Sequence, residues 1–274
     1  MSSEIASHVE VKNLSIDSVC LNRKVLIDIY HPLLTIDAST IDLLLINDGQ
    51  DLPQMDFAGI LDEMIGRKHI SPIICVGIHA GPQRKMEYGI AGIPDFKGRG
   101  DMAIDYTSFV FTELLPFLVR HYGISRFRSN SFAGFSLGGL MAIDIVWTHP
   151  REFMFAAVFS GSLWWRSLDQ TEPEYDDNKH RIIHQLIRKG NYHPGLKFFF
   201  QCGNKDENRD RNNNGIIDSI DDTRDLIKEL INKGYDAAKD IYYLEMEDGS
   251  HDVPTWGRAF PTFLKWAFSN SDNT

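Results

Sequence analysis

"SFAGFSLGGLMAIDIVWTHP", residues 131–150, is the stretch on which the fold turns. Residues 131–135 read as a short buried strand, and 137–150 as a helix stopped by Pro150. Between them lies Gly134-Phe135-Ser136-Leu137-Gly138, a G-x-S-x-G turn from strand into helix. Such a turn strains the serine backbone and leaves no room for flanking side chains, which is why glycines stand there. The free N–H groups at the start of the next helix point at the place where an oxyanion would develop. Ser136 is therefore the candidate nucleophile and the Leu137 amide a candidate oxyanion donor. A plain Gly-rich turn is the alternative, and it does not need the strand before and the helix after.

Outward from this turn, strands and helices alternate. Residues 8–16 and 20–32 carry strand patterning, and 41–49 and 71–78 are apolar runs suited to strands buried on both faces. Further strands are expected at 153–162, 196–203 and 240–247. Helices are expected at 102–122 with a kink at Pro116, and at 179–189, 222–233 and 256–268. The economical architecture is α/β: a mainly parallel central sheet of about eight strands with helices on both faces. No linker or composition break divides residues 1–274, so a single domain is expected. In such sheets the ligand site lies at the carboxyl ends of the strands.

A serine nucleophile needs a base, and after a strand–turn–helix serine the order is acid, then histidine. Five histidines follow Ser136: His149, His180, His184, His193 and His251. Only His251, in "EDGSHDVPTW", falls between the last strand and the last helix, where a loop-borne base belongs. The acid should follow the preceding strand, in "CGNKDE". Asp206 is the first carboxylate there, with Glu207 adjacent as the alternative. The loop "NDGQDL" after the third strand would bring the Gln50 amide to the same oxyanion, although an ordinary Asp-Gly turn explains these residues equally well.

The net charge of −10 and the lack of a basic stripe argue against a nucleic-acid partner. Cys20, Cys75 and Cys202 are scattered and read as reduced structural thiols. The first residues form no signal peptide, and no apolar run spans a bilayer, so a cytoplasmic location is expected, or a secreted or periplasmic one if a leader was removed.

Taken together, "LLLINDGQDL", "PIICVGIHAG" with "RKMEYG", "FTELLPFLVRHYGI", "FAGFSLGGL", "CGNKDE" and "GSHDVPTWGRAFPTFLKW" resemble the putative-esterase family of α/β-hydrolases. This group includes enterochelin esterase-like proteins, esterase D, bacterial feruloyl esterases and mycolyltransferases. The resemblance covers about residues 20–268. It implies an α/β-hydrolase fold with Ser136, Asp206 and His251 as catalytic triad and the Gln50 and Leu137 amides as oxyanion hole. It further implies serine carboxylic-ester hydrolysis through an acyl-enzyme, on a small-molecule ester and with no organic cofactor. An acyltransferase on the same triad, or a non-catalytic binding protein of this fold, are the alternatives. Trp164 and Trp165 look like an aromatic pair beside the substrate pocket, and packing inside a loop explains them equally well. "GIPDFKGRGD" (92–101) is expected at the pocket rim.

An acidic insert at 208–221 departs from the family. Asp210-Arg-Asn212-Asn-Asn214-Gly215-Ile216-Ile217-Asp218-Ser-Ile-Asp221 matches an EF-hand-type calcium loop. Side-chain oxygens would come from Asp210, Asn212, Asn214, Asp218 and Asp221, and a carbonyl from Ile216, with Gly215 at the sharp turn. The last ligand is Asp, as in dockerin-like loops, and only a following helix is present. A structural calcium ion is expected, against a solvated Asn/Asp turn.

Overall fold

The fold is given by a computed structural model that describes residues 7–33 and 40–269. Eight strands form one sheet: β1 (Val9–Ser18), β2 (Arg23–Pro32), β3 (Asp42–Asn47), β4 (Ile73–Ile78), β5 (Asn130–Phe135), β6 (Phe155–Phe159), β7 (Lys197–Lys205) and β8 (Ile241–Ser250). Their order is β1-β2-β4-β3-β5-β6-β7-β8. β2 runs antiparallel to both β1 and β4, and every pairing from β4 to β8 is parallel. The expected parallel sheet thus holds, with one reversed strand near an edge. β3, β4 and β6 are buried along their whole length, which is why they read as unbroken apolar runs. β1 is an edge strand and its outward positions are exposed.

The helices are α1 (Phe57–Gly66), α2 (Arg84–Glu87), α3 (Ala103–Phe109), α4 (Leu115–Tyr122), α5 (Leu137–Thr148), α6 (Asp177–His180), α7 (Ile182–Lys189), α8 (Asp218–Lys233) and α9 (Val253–Phe268). α1 and α9 cover one sheet face, where Phe57, Phe159, Phe199, Phe260 and Phe263 are fully buried. Phe159 and Phe260 stack there at 4.9 Å. Each such ring contributes about 2 kcal/mol by leaving water. The other face is covered by helices that include α5, whose residues are buried almost all round. That explains its apolar sequence on every side. Its one carboxylate, Asp144, accepts a hydrogen bond from the Ala91 amide at 3.0 Å, and burial pushes its pKa up to about 7.

The helices differ from expectation at several places, α8 and α9 starting earlier, at Asp218 and Val253. α1 was not anticipated, because Gly59 and Gly66 weaken helix propensity, yet its buried Phe57, Leu61, Met64 and Ile65 have helical spacing. The helix at 103–122 is not simply kinked at Pro116. A π-turn, Val110–Leu114, joins α3 to α4, with the Leu115 amide bonded to the Val110 carbonyl, and Pro116 falls in the first turn of α4. The expected helix over 179–189 is broken at Arg181, whose extended backbone separates α6 from α7.

Candidate active site

β3 and β5 are parallel neighbours whose onward connections run to opposite sides of the sheet, to β4 and to β6, so a crevice opens at the ends of these two strands. At the tip of β5, Ser136 adopts φ 54° and ψ −120°, a conformation costing a non-glycine residue on the order of 1–3 kcal/mol. A Cβ at Gly134 would lie 2.2 Å from the Gly138 carbonyl oxygen, and one at Gly138 would lie 2.7 Å from Asp48 Oδ2. The elbow closes only because both positions are glycine. Asn47, the last residue of β3, donates from Nδ2 to the Gly138 carbonyl at 2.8 Å, while Tyr106 donates to Asn47 Oδ1. Asp48 is buried and held by a two-pronged ion pair to Arg84 at 2.6 and 2.7 Å. The end of β3 is thereby locked against the start of α5.

A cavity of about 420 Å³ opens above the elbow. Ser136, Leu137, Asp206 and His251 line it, so the structure brings together the serine, acid and histidine expected from sequence. Leu137 is the first residue of α5, where an amide has no intrahelical partner. Gln50 does not line the cavity. It sits in the 3₁₀ turn Gly49–Met55 beyond β3, and its side chain accepts from the Ala80 amide at 2.9 Å.

The Ser136 hydroxyl lies 3.3 Å from that of Ser162, whose amide donates to the Ser136 carbonyl at 3.0 Å. No hydrogen bond joins Ser136 to His251, or His251 to Asp206, among the described residues. Both carboxylate oxygens of Asp206 are buried without a donor at bonding geometry. Burial raises the Asp206 pKa, opposed by the nearby Gly203 amide, Ser160 hydroxyl and His251. His251 is exposed as a residue, yet the groups around its ring desolvate it in part and lower its pKa. Asp206 opposes that shift, and Arg84 adds to it. His251 also packs edge-on against Trp256, whose Nε1 donates to Ser160 Oγ at 3.0 Å. Glu207 also lines the cavity, but its carboxylate is taken by Arg209 at 3.0 Å.

The two tryptophans part company. Trp164 lines the cavity. Trp165 is fully buried and does not, which corrects its expected place beside the pocket. Its Nε1 finds the Ile93 carbonyl at 3.2 Å, and Gly89 and Gly100 leave the space its ring occupies. Sequence reasoning also missed the cationic side of the cavity, formed by Arg84, Lys85, Arg99 and Arg209. Arg84 and Lys85 are neighbours on α2, while Arg99 and Arg209 come from two other segments, so no single local pattern announces the set.

In the acidic insert, Asp210 accepts from the Asn214 and Gly215 amides, and Asn212 and Asn214 both donate to Asp221 Oδ2, at 2.9 and 2.7 Å. Four expected ligand residues therefore converge. Asp218 does not join them: it is buried and held by the Arg211 amide at 2.8 Å and guanidinium at 3.2 Å. No group of three or more His, Cys, Asp or Glu side chains among the described residues is arranged to hold a metal ion.

A strand order with β2 reversed, a strained serine at the tip of β5 and a following buried helix define the class: this is an α/β-hydrolase fold. The family profile described as Putative esterase matches residues 18–267, and the chain belongs to that family. A relative in Bacillus subtilis (strain 168), the uncharacterized protein YbbA, is 22% identical over 250 residues, covering 89% of this chain and 92% of its own. Among solved structures, the enterobactin esterase Fes from Shigella flexneri, crystallised with enterobactin, superposes with a TM-score of 0.73 at 20% identity over 95% of this chain. The match spans only 59% of that esterase. A ferulic acid esterase gives 0.69 at 18% identity, covering 95% of this chain and 97% of its own. An IroE-like serine hydrolase from Shewanella oneidensis gives 0.69 at 18%, covering 94% and 79%.

Proposed function

We propose that this protein is a serine carboxylic-ester hydrolase working through an acyl-enzyme. The observation that carries the reading is one cavity at the carboxyl end of the sheet that is lined by a strained Ser136 together with His251 and Asp206. His251 takes the proton from Ser136 Oγ as the oxygen attacks the ester carbonyl. Asp206 holds the imidazole tautomer and stabilises the imidazolium. The oxyanion is met by the amide of Leu137 at the start of α5, whereas Gln50, expected as a second donor, stands outside the cavity lining. His251 then protonates the departing alcohol, and a water activated by the same base releases the acid. Hydrogen bonds of this kind tighten when substrate fills the site, and the Ser136 hydroxyl must leave Ser162 to engage His251. Turnover of a chromogenic short-chain ester, with covalent labelling of Ser136 by a fluorophosphonate, tests the reading. An acyltransferase would instead show slow hydrolysis and fast transfer to an added alcohol, and a binding protein neither turnover nor labelling.

The base must be neutral to act, and its pKa lies below the ordinary 6.5. The acid limb of kcat/KM is therefore expected to have its midpoint below pH 6.5. Asp252 is one of the charges that raise the His251 pKa, and its Oδ1 caps α9 by accepting from the Thr255 amide. Asp252→Asn keeps a capping side chain while removing the charge, so the limb moves to still lower pH. A midpoint unmoved or raised in that variant contradicts this account of the site's electrostatics.

Calcium in the 210–221 loop is part of the same proposal. It rests on the EF-hand spacing and on Asp210, Asn212, Asn214 and Asp221 facing one another, with Ile216 supplying a carbonyl. Asp218, tied to Arg211, would act at most through water. Chelation by EGTA is expected to lower the melting temperature by several degrees without abolishing Ser136 labelling. If chelation and Asp210→Ala change neither the melting temperature nor the metal content, the loop is a hydrogen-bonded turn.

A further inference from the structure

Beside the active-site cavity lies a second, smaller one of about 190 Å³, and the two share Arg99, Trp164 and Arg209 as a common wall. Its floor is unusual. Arg166 lines it and is only 5% exposed. Its guanidinium donates to two neutral oxygens, the Trp164 carbonyl at 2.8 Å and Gln170 Oε1. It also lies over the rings of Trp164 and Tyr175, at 5.9 and 5.5 Å. No carboxylate lies within ion-pair distance of it among the described residues. The acids that feel its charge at longer range are engaged elsewhere: Asp222 with Arg181 and Arg211, and Asp169 with Thr171.

A desolvated guanidinium without an anion is costly. The other buried arginine among the described residues, Arg181, makes the contrast, since it has three carboxylate partners. At the mouth stands Lys97, exposed and without a carboxylate partner among the described residues, its ammonium over the Phe96 ring at 5.2 Å. The remaining two cations of this cavity are already neutralised, Arg99 by Asp95 and Arg209 by Glu207. Thus Arg166 and Lys97 face a single carboxylate of the lining, Asp169, on a chain whose net charge is −10.

We infer that this second cavity is an anion subsite, and that the ester substrate carries an anionic group, a carboxylate or a phosphate type, which it receives. Arg166 anchors that group, Lys97 closes over it, and the Trp164 face guides the linking part of the substrate toward Ser136. The catalytic half of this inference rests on the esterase reading above, while the binding half does not. A guanidinium gives a carboxylate or phosphate two parallel hydrogen bonds, and the neutral partners of Arg166 leave it free to do so.

Two measurements test this. In the first, kcat/KM is compared for 4-nitrophenyl hexanoate, the mono-4-nitrophenyl ester of adipic acid and 4-nitrophenyl 6-phosphonohexanoate, which share a chain length. In the second, free adipate and inorganic phosphate are titrated against Ser136→Ala while tryptophan fluorescence is followed, with Trp164→Phe as the control for its source. The expected result is saturable anion binding and a preference for a charged ester of about tenfold or more. The better of the two charged esters identifies the group. Arg166→Gln should collapse both readouts, Arg166→Lys should keep part of them, and Lys97→Gln should weaken both. If Arg166→Gln does not fold, Arg166→Lys and Lys97→Gln decide the matter. Anion binding that is absent from the parent protein, or unchanged in the folded variants, overturns the subsite even if esters are hydrolysed. Arg166-dependent anion binding without hydrolysis of any ester leaves the subsite standing and removes the esterase reading.

Discussion

Ser136→Ala is expected to lower turnover of a short-chain chromogenic ester by about 10⁴-fold or more, and to abolish fluorophosphonate labelling in the intact mass. The fold should survive the change. The hydroxyl touches only Ser162 Oγ, at 3.3 Å, and alanine suffers the same backbone strain as serine at φ 54°. Ser136→Gly should be equally inactive but more resistant to urea, by about 1 kcal/mol, because glycine adopts this conformation at little cost. The pair separates chemistry from structure. Activity within tenfold of the parent in either folded variant would mean that another nucleophile does the work.

Asp206→Asn should cost about 10⁴-fold in kcat, because an amide favours the wrong imidazole tautomer. Glu207→Gln should cost less than about tenfold, since that carboxylate already pairs with Arg209. Stability gives an independent reading of the first change. Burial raises the folded pKa of Asp206 above its ordinary 3.8, so folding favours the protonated form. Its contribution is full at low pH and is lost as pH rises through the folded pKa. At pH 8, Asp206→Asn should therefore be more stable than the parent, and the gain should vanish toward pH 4. An inactive variant that is also less stable at pH 8 would mark Asp206 as a structural group. Reversed kinetic effects would make Glu207 the acid.

Much of the framework was legible because the chemistry imposes residue types at fixed places in the strand order. The turn around Ser136 needs its glycines, and the acid and base must stand on the loops after β7 and before α9. The turn motif and the strand order thus sufficed to propose Ser136 and His251, and to narrow the acid to Asp206 or its neighbour Glu207. Contacts between distant segments could not. Trp164 and Trp165 are neighbours with opposite surroundings, and the space left by Gly89 and Gly100 decides which is buried. Asp218 fits a ligand spacing, but the buried Arg211 competes for its carboxylate. The lone charge of Arg166 is likewise a property of what is missing around it, and a sequence does not display that. β2 reads as a strand, but its reversed direction depends on its pairing with β1 and β4.

The order of strands also has a consequence for synthesis. His251 lies between β8, the outermost strand on its side of the sheet, and α9. A ribosome that has delivered the chain through Asp206, one residue past β7, has produced the proposed nucleophile and acid, but not the base. It has also left one face of the sheet without α9, so that Phe159 and Phe199 lack their partners Phe260 and Phe263. On the proposed triad, a chain stopped before residue 251 lacks its base, and one stopped before α9 leaves this aromatic face uncovered.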